Sequence, residues 1–287
     1  MKNNKAIVTI ILGKHYEDFW KAYAYPSWKN YAEKHGYDII ALNKALDSSE
    51  RAVKRSPSWQ KCLLVNLEEI QQYEQVVWID SDIIINHFTA PCIISQVAKE
   101  KVGAIDAWNF RSTENFKLIH MRSKAYEIKH RLPSYNIGSE YYQDYGLPPI
   151  SEKALQCGVL VLNPKVHKEI FNSVYYNYED GRSANWHYEM RPLSYEIIQN
   201  DLVQWIDFRF NYVVENLKAE LYFHKYPRSF HERVLRILKI KTFLITNKIG
   251  IRNWQEEMVN KAYLEGYFIH FAGNSKEMIF CKNLLAL

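Results

Sequence analysis

The sequence predicts an α/β protein in which helices flank a mostly parallel, mixed sheet. Short apolar, β-branched runs alternate with helix-like segments, and several of the runs end in glycine or aspartate. Strands that alternate with helices form βαβ units, and such sheets bind ligands beyond the carboxyl ends of their strands. The 287 residues, 47% hydrophobic and 24% charged, supply enough apolar side chains for a core of this kind.

The first half of the chain contains three strand-like runs separated by helix-like segments. In order, the sequence predicts a strand over 6–12, a helix over 17–34 bent near Pro26, a strand over 37–42, a helix beginning at Ser56 and Pro57, and a strand over 76–80. The first run is β-branched and continuously apolar, which is typical of a strand buried on both faces. Gly36 is suited to end the first helix, and serine followed by proline is a common helix start.

The second half continues the pattern after a long interruption. Strands are predicted over 102–106 and 158–163, and Pro164 opens the next helix. The segment of about 108–150 is polar and aromatic, so we expect an active-site loop region or insertion there. We divide the chain into a catalytic domain, 1–224, and a helical, basic C-terminal extension, 225–287.

Composition excludes several classes of protein. The cysteines, at 62, 92, 157 and 281, have no metal-ligand spacing and are expected to be buried, reduced thiols. The sequence has no signal-peptide pattern and no apolar run near the roughly 20 residues that cross a bilayer, so we expect a cytoplasmic protein. A net charge of +5 is too small to indicate binding to nucleic acid.

Two carboxylates follow the apolar run at 76–79. Asp80 and Asp82 would point the same way if the strand continued. Carboxylate oxygens prefer Mg²⁺ or Mn²⁺, and an ion with few protein ligands keeps positions open for phosphate oxygens. The alternative is a solvated turn, but the apolar residues on both sides make an unpaired carboxylate pair costly and favour a metal site.

Five motifs in order resemble the GT-A nucleotide-sugar glycosyltransferases, and most closely the retaining enzymes of family 8. The aspartate pair (DXD) is the first. Residues 155–163 are similar to the family's FNAGVLVIN strand, residues 199–204 and 208–211 to its DQDxLN helix and RFN element, and residues 270–276 to its HxxGxxK closure. The resemblance covers about residues 6–280 and implies a GT-A (Rossmann-like) fold, a UDP-sugar donor and a divalent metal, Mn²⁺ or Mg²⁺.

The closing motif supplies groups that suit this chemistry. A neutral imidazole at His270 is expected to be the third ligand of the ion held by Asp80 and Asp82. The ammonium of Lys276 is expected to hold the donor diphosphate and to stabilise the charge that develops as it departs. A structural histidine and a surface lysine are the alternatives.

Four further residues are predicted to bind the donor. The resemblance places Thr9 against the uridine and Lys61 near the donor. Asp106 ends a predicted strand, where its carboxylate would accept hydrogen bonds from sugar hydroxyls, and Gln156 would do likewise. The alternatives are a core threonine, an exposed lysine, and an aspartate in a turn or N-cap.

The mechanistic residue is open between several side chains. The resemblance puts Asn200 where the family carries glutamine, and asparagine is a poor nucleophile. The adjacent Asp201 is predicted to stabilise an oxocarbenium-like transition state or to approach the acceptor hydroxyl. An inverting enzyme would instead use Asp201, Asp207 or Glu196 as its base.

Residues 225–252 carry eight basic residues and one acidic residue among apolar side chains. This composition fits a helix on an anionic membrane surface, which would suit a lipid-linked acceptor, and equally a helix packed on the catalytic domain. Candidates for the acceptor side are aromatic residues in polar segments: Trp108, Tyr135, Trp186, His187 and Tyr188.

We therefore expect a metal-dependent glycosyltransferase that moves a hexose from a UDP-sugar to a glycan or lipid-linked glycan, with retention of configuration. The alternatives are an inverting GT-A enzyme, a sugar nucleotidyltransferase and a catalytically silent glycan-binding protein. A nucleotidyltransferase usually has a glycine-rich basic loop after its first strand, and Gly13-Lys14 matches that loop poorly. The asparagine at 200 favours the silent protein, whereas the aspartate pair and His270 oppose it.

Overall fold

A computed structural model of the protein describes residues 3–129, 134–180, 187–222, 251–282 and 284. The strands are β1 (Lys5–Ile10), β2 (Asp38–Leu42), β3 (Gln75–Ile79), β4 (Ile83–Ile85), β5 (Val102–Asp106), β6 (Leu155–Leu162), β7 (Val203–Trp205), β8 (Tyr212–Val213) and β9 (Phe268–His270). Within this part of the chain, six strands form a central sheet in the order β2-β1-β3-β6-β5-β7. The other three form a small sheet in the order β4-β9-β8.

The central sheet is mixed, with more parallel than antiparallel neighbours. Strand β1 runs parallel to β2 and β3, and β5 runs parallel to β7, whereas β6 is antiparallel to both β3 and β5. The predicted fold class is therefore confirmed. Because β6 is antiparallel, its first residues lie at the same edge of the sheet as the carboxyl ends of β3 and β5.

Ten α-helices and several tighter or wider helical turns complete the described part. The α-helices are α1 (Lys14–Phe19), α2 (Tyr25–His35), α3 (Glu50–Lys54), α4 (Glu68–Gln71), α5 (Thr113–Lys129), α6 (Glu140–Gln143), α7 (Lys168–Asn177), α8 (Met190–Gln199), α9 (Val214–Tyr222) and α10 (Ile251–Glu265). A π-helical turn covers Trp20–Ala24, and 3₁₀ helices cover Pro57–Asn66, Ile94–Gln96, Phe208–Asn211 and Ser275–Cys281.

The helix predicted over 17–34 is present, with its irregularity just before Pro26. The π-helical turn joins α1 to α2 there, because a proline has no amide hydrogen to donate to the preceding turn. Gly36 ends α2 with a φ of 71°, the left-handed conformation that glycine adopts without strain. Ser56 begins its helix as predicted and accepts a hydrogen bond from the amide of Ser58, although that helix is 3₁₀.

The segment predicted as a loop or insertion contains regular structure. Helix α5 fills 17 residues of it and α6 another four. Phe116 and Ile119 on α5 are buried in the main core. Part of the region of about 108–150 is therefore helical and packs against the core.

Apolar side chains cover both faces of the central sheet. On one face, Ile7 and Val77 pack in a cluster that includes residues of α2, β4, α9 and α10. On the other face, Val8 and Trp78 pack with residues of the Pro57–Asn66 helix, α7 and α8. Successive strand residues point to opposite faces, so burial of both faces explains the continuous apolar runs in the sequence.

The described C-terminal residues are built into the same core. Strand β9 pairs with β4 and β8, and α10 packs against α9. The predicted boundary at 224/225 lies in 223–250, outside the described residues, as does the basic segment 225–252 except for the backbone of its last two positions. Among the described helices, none is long and apolar enough to cross a membrane.

Glu265, at the end of α10, joins distant parts of the chain. Its carboxylate accepts hydrogen bonds from Arg111, Tyr212 and Lys261. Burial alone raises the pKa of Glu265, but these three donors lower it to about 2. Arg111 has a φ of 63°, which is uncommon for a residue other than glycine, and its ion pair with Glu265 helps to hold that conformation.

Candidate functional site

Polar side chains converge at one edge of the central sheet. Asp80 directly follows β3, Asp106 ends β5 and Gln156 lies at the start of the antiparallel β6. The amide of Asp80 donates to the carbonyl of Gly158, 2.9 Å away, which ties the end of β3 to β6. This is the edge at which α/β sheets bind ligands.

Asp80, Asp82 and His270 form a cluster with the composition of a metal site. One ligand atom from each residue lies within 4.8 Å of the others. His270 Nε2 is 3.3 Å from Asp82 Oδ1 and 4.0 Å from Asp80 Oδ2. Two carboxylates and an imidazole suit Mn²⁺ or Mg²⁺, so the predicted ligand set is brought together and fits such an ion.

A second layer of polar groups orients His270. Asn211 Oδ1 lies 2.7 Å from His270 Nδ1, which leaves Nε2 directed at the aspartates. The amide of Asn211 in turn donates to Gln156 Oε1 at 2.6 Å, and the same oxygen accepts from the Gly158 amide. Gln156 is therefore a positioning residue for the histidine.

Gly158 makes room for the histidine ring. A Cβ atom at this position would lie 2.7 Å from His270 Cε1 and 3.0 Å from His270 Nδ1. The first distance is shorter than the closest approach of carbon atoms that are not bonded, and the second is tighter than most such contacts. The glycine of the 155–163 motif is thus required by the close approach of His270 to the β6 backbone.

The three ligands influence one another's protonation. Burial alone lowers the pKa of His270, but the carboxylates of Asp82 and Asp80 raise it above its ordinary value. Burial raises the pKa of Asp80. Burial alone would also raise the pKa of Asp82, but His270, a backbone amide and Lys61 together lower it below its ordinary value. A divalent ion would displace the proton of His270 and balance both carboxylates.

Lys61 is the buried cation of the site. Its Nζ lies 2.8 Å from Glu189 Oε1, 3.6 Å from Asp80 Oδ1 and 3.0 Å from the carbonyl of Cys157. Burial alone lowers the pKa of Lys61, but Asp80 and Glu189 raise it, so the side chain stays charged. The alternative of an exposed lysine is excluded, because Lys61 is 4% exposed.

Glu189 was missed by the sequence interpretation. It is 3% exposed and lies at the beginning of α8, where it pairs with Lys61. The match to the family helix was placed at 199–204, which begins at the last residue of α8 and runs into β7. A carboxylate directly before an amphipathic helix was the sequence signal that could have drawn attention to Glu189.

Comparisons with solved structures agree with this architecture. A glycosyltransferase involved in the glycosylation of the major capsid of PBCV-1 superposes with a TM-score of 0.52 at 13% identity, over 98% of each chain. The bifunctional glycosyltransferase WbbM superposes with a TM-score of 0.53 at 14% identity, over 100% of this chain and 52% of its own. The chain has the GT-A fold. No family model and no curated protein sequence matches it.

The GT-A fold places two predicted donor residues in buried positions. Thr9 is in β1 and fully buried, and its hydroxyl has no hydrogen-bond partner in the described part of the chain. Asp106 is 6% exposed and accepts a hydrogen bond from the amide of Trp108 at 3.0 Å. Burial raises the pKa of Asp106. Both residues lie near the carboxyl ends of their strands, at or next to the edge that carries the metal cluster.

Lys276 is exposed on the 3₁₀ helix that follows β9. Its ammonium has no hydrogen bond or ion pair with the described residues, in contrast to the buried pair of Lys218 with Glu277 nearby. Lys276 is therefore free to bind an anion from solvent, as the prediction requires.

The structure places Asn200 and Asp201 away from the cluster. They precede β7, which pairs in parallel with the beginning of β5 at Val102, so they lie at the edge of the sheet opposite Asp106. Asn200 caps α8 by donating to the carbonyl of Glu196, and Asp201 pairs with Lys101 at 3.1 Å with its side chain 97% exposed. The four residues of β5 that separate the two edges span about 13 Å.

The two other candidate bases also have structural partners. Glu196 accepts a hydrogen bond from the hydroxyl of Tyr178, and Asp207 forms a close ion pair with Arg209. The pKa of Asp207 is raised by burial but lowered below its ordinary value by Arg209. Both carboxylates are held by neighbours that compete with a catalytic proton transfer.

Three of the predicted acceptor-side aromatic residues, Trp108, Tyr135 and His187, form one group beyond Asp106. The rings of Tyr135 and His187 are 4.4 Å apart, and those of Trp108 and Tyr135 are 6.1 Å apart. Burial and the charge of Arg191 lower the pKa of His187 to about 3, so its imidazole is neutral. Tyr188 is exposed, and Trp186 lies outside the described residues.

Proposed function

We propose that this protein is a metal-dependent glycosyltransferase that takes a hexose from a UDP-sugar. The observation that carries the proposal is the cluster of Asp80, Asp82 and His270 at the ligand-binding edge of a GT-A fold. Glycosyltransferases of the same fold, at 13% and 14% identity, support it further.

The buried charges suit the departure of a nucleoside diphosphate. Mn²⁺ or Mg²⁺, held by the three ligands, would supply positive charge to the diphosphate oxygens. Lys61 adds a second, permanent positive charge beside Asp80, and exposed Lys276 is available to bind the diphosphate from outside. Asp106, at the same edge, is proposed to accept hydrogen bonds from the donor sugar.

We propose retention of configuration, with Glu189 as the carboxylate that faces the developing positive charge of the sugar. Glu189 is buried next to Lys61, whereas Asn200 and Asp201 lie at the opposite edge of the sheet. The assay is the proton NMR spectrum of the first product formed. An α-linked product from an α-linked UDP-sugar supports retention, and a β-linked product indicates the inverting alternative.

The acceptor is proposed to be a glycan or a lipid-linked glycan, and the location cytoplasmic, with residues 225–252 on the inner face of a membrane. The composition of that segment is the support. Co-sedimentation with anionic and with neutral vesicles tests it. Binding to the anionic vesicles that is lost on deletion of 225–252 supports the proposal, and unchanged binding contradicts it.

The first test of the function is the thermal stability of the protein with UDP, GDP, UDP-glucose and UDP-galactose, each with and without Mn²⁺. A ligand that binds the folded state raises the melting temperature, so UDP and a UDP-sugar are expected to do so only with Mn²⁺. In the variant Asp82→Asn this stabilisation is expected to disappear. The control, Asp201→Asn, removes a carboxylate at the opposite edge and is expected to respond as the wild type.

Two results would contradict the proposal. No stabilisation by any nucleotide would favour a silent glycan-binding protein. Release of pyrophosphate from a nucleoside triphosphate and a sugar phosphate would show a nucleotidyltransferase.

A further inference from the structure

Four polar side chains meet in the interior between Asp106 and the start of α8. They are Trp108, Tyr141, His187 and Arg191. The ring of Tyr141 lies 5.0 Å from that of Trp108 and 5.4 Å from that of His187, and the Arg191 guanidinium lies over it at 4.7 Å. We call these four residues the interior polar cluster.

Every member of the interior polar cluster has a buried polar atom without a hydrogen-bond partner among the residues that the structure describes. These atoms are Trp108 Nε1, Tyr141 Oη, His187 Nδ1, and Nε and Nη2 of Arg191. Trp108, Tyr141 and Arg191 are 3%, 0% and 2% exposed. Unpaired buried polar groups are unfavourable and rare in folded proteins, so four of them in contact point to a missing partner.

The unpaired edge of Arg191 indicates the chemistry of that partner. Nε and Nη2 present two parallel N–H groups, the geometry that binds both oxygens of a carboxylate. Asp144 Oδ2 lies 3.6 Å from Nη2, beyond hydrogen-bond distance, and the Asp144 carboxylate is occupied by hydrogen bonds from Asn136. Asp144 therefore balances part of the positive charge of Arg191 but does not accept hydrogen bonds from its Nε and Nη2.

The interior polar cluster adjoins the proposed catalytic site. The Trp108 amide donates to the carboxylate of Asp106, and Arg191 and His187 lie two residues on either side of Glu189. Trp108 Nε1 and the Tyr141 hydroxyl suit the hydroxyls of a sugar, and their rings suit its apolar face. His187 is partly exposed, so the cluster reaches the surface at that residue.

We propose that Trp108, Tyr141, His187 and Arg191 form a subsite for a sugar that carries a carboxylate, with the carboxylate on Arg191. This inference rests on the proposed function and specifies its substrate class as an acidic sugar of the uronic acid type. The acidic sugar is either the group transferred from the donor or the terminal residue of the acceptor. Neighbouring side chains must move for it to enter, because the unpaired atoms are shielded from solvent.

Calorimetric titration with matched ligand pairs distinguishes the two sources. The donor pair is UDP-glucuronic acid and UDP-glucose with Mn²⁺, and the acceptor pair is methyl glucuronide and methyl glucoside with UDP and Mn²⁺. In one of the pairs, the acidic member is expected to bind at least about tenfold more tightly. Arg191→Gln is expected to abolish that preference, so that the two members of the pair bind with affinities within about twofold of each other.

A second, more conservative variant tests the proposal even if Arg191→Gln does not fold. Tyr141→Phe removes the unpaired hydroxyl and keeps the ring, so it is expected to raise the melting temperature of the free protein by about 2 °C. It is also expected to weaken binding of the acidic sugar at least fivefold. The matched control is Tyr263→Phe, which removes another unpaired, buried hydroxyl and is expected to be stabilising without an effect on binding.

Three results would overturn the inference. The first is equal affinity for both members of each pair, and the second is a preference that persists in Arg191→Gln. The third is a lower melting temperature in Tyr141→Phe with unchanged binding, which would indicate an internal water held by the cluster. Stabilisation by UDP with Mn²⁺ tests the proposed function independently: if it is present while the acidic preference is absent, only this inference fails.

Discussion

Lys61 holds a buried positive charge between two carboxylates, and its replacement by methionine tests the electrostatics of the site. Its Nζ is 2.8 Å from Glu189 and 3.6 Å from Asp80, and the side chains of Lys61 and Glu189 are 5% and 4% exposed. Methionine has a similar volume, so Lys61→Met removes the charge and leaves the packing nearly intact. Two carboxylates then share the interior without a cation.

The expected cost is about 3–5 kcal/mol of the free energy of unfolding, because removing one partner of a buried pair leaves the other charge uncompensated. This is a large part of the roughly 5–15 kcal/mol that stabilises a typical domain. The double variant Lys61→Met with Glu189→Gln removes the more deeply buried of the two stranded charges, because the Asp80 side chain is 31% exposed and that of Glu189 only 4%. It is therefore expected to recover to within about 2 kcal/mol of the wild type.

The measurement is the free energy of unfolding in urea at pH 7. The slope of this free energy against urea concentration should be the same in all variants, so that the difference reports a change in stability. Lys218→Met is the matched control, because Lys218 is also buried and pairs with Glu277 and Glu215 outside the site. It is expected to lose comparable stability and to keep Mn²⁺-dependent UDP binding, which Lys61→Met loses. A loss below about 1 kcal/mol in Lys61→Met, or a double variant as unstable as the single one, would refute the reasoning.

The remaining predictions concern the glycine beside the histidine, the ion pairs of α10 and the opposite edge of the sheet. Gly158→Ala is expected to push His270 away and weaken Mn²⁺ binding at least tenfold, as measured by titration; normal affinity would contradict the close packing. Glu265→Gln is expected to lower the free energy of unfolding by about 2–3 kcal/mol at pH 7. The variant is also expected to lose less stability than the wild type when the pH is lowered. A carboxyl with a lowered pKa stabilises the fold above its unfolded pKa of 4.5, and this contribution disappears as the pH falls from there to about 2. If the stability of the wild type and of the variant, measured by urea unfolding, changed equally between pH 4.5 and about pH 2, this role of Glu265 would be excluded. Asp201→Asn is expected to retain glycosyl transfer within about twofold, and a loss above tenfold would restore it as a mechanistic residue.

Local sequence patterns predicted five of the six strands of the central sheet and the carboxylates at the ends of two of them. The apolar runs gave β1, β3 and β5 within two residues of their observed bounds, because strands buried on both faces need continuous apolar sequence. Asp80 and Asp82 were identified from the same run, since the end of a buried strand in an α/β sheet lies at the ligand edge. The third member, His270, required the family motif, because it is distant in the sequence.

The tertiary structure decided which distant residues share the site. Glu189 and Lys61 are separated by more than a hundred positions, and neither has a local pattern that identifies the other. The end of α8 resembled a catalytic motif, yet the direction of that helix places Asn200 at the far edge of the sheet. A periodic pattern specifies the type of an element and its buried face. Strand order decides the edge of the sheet to which each end of a helix points. Packing between segments far apart in the chain decides the partners of a buried charge.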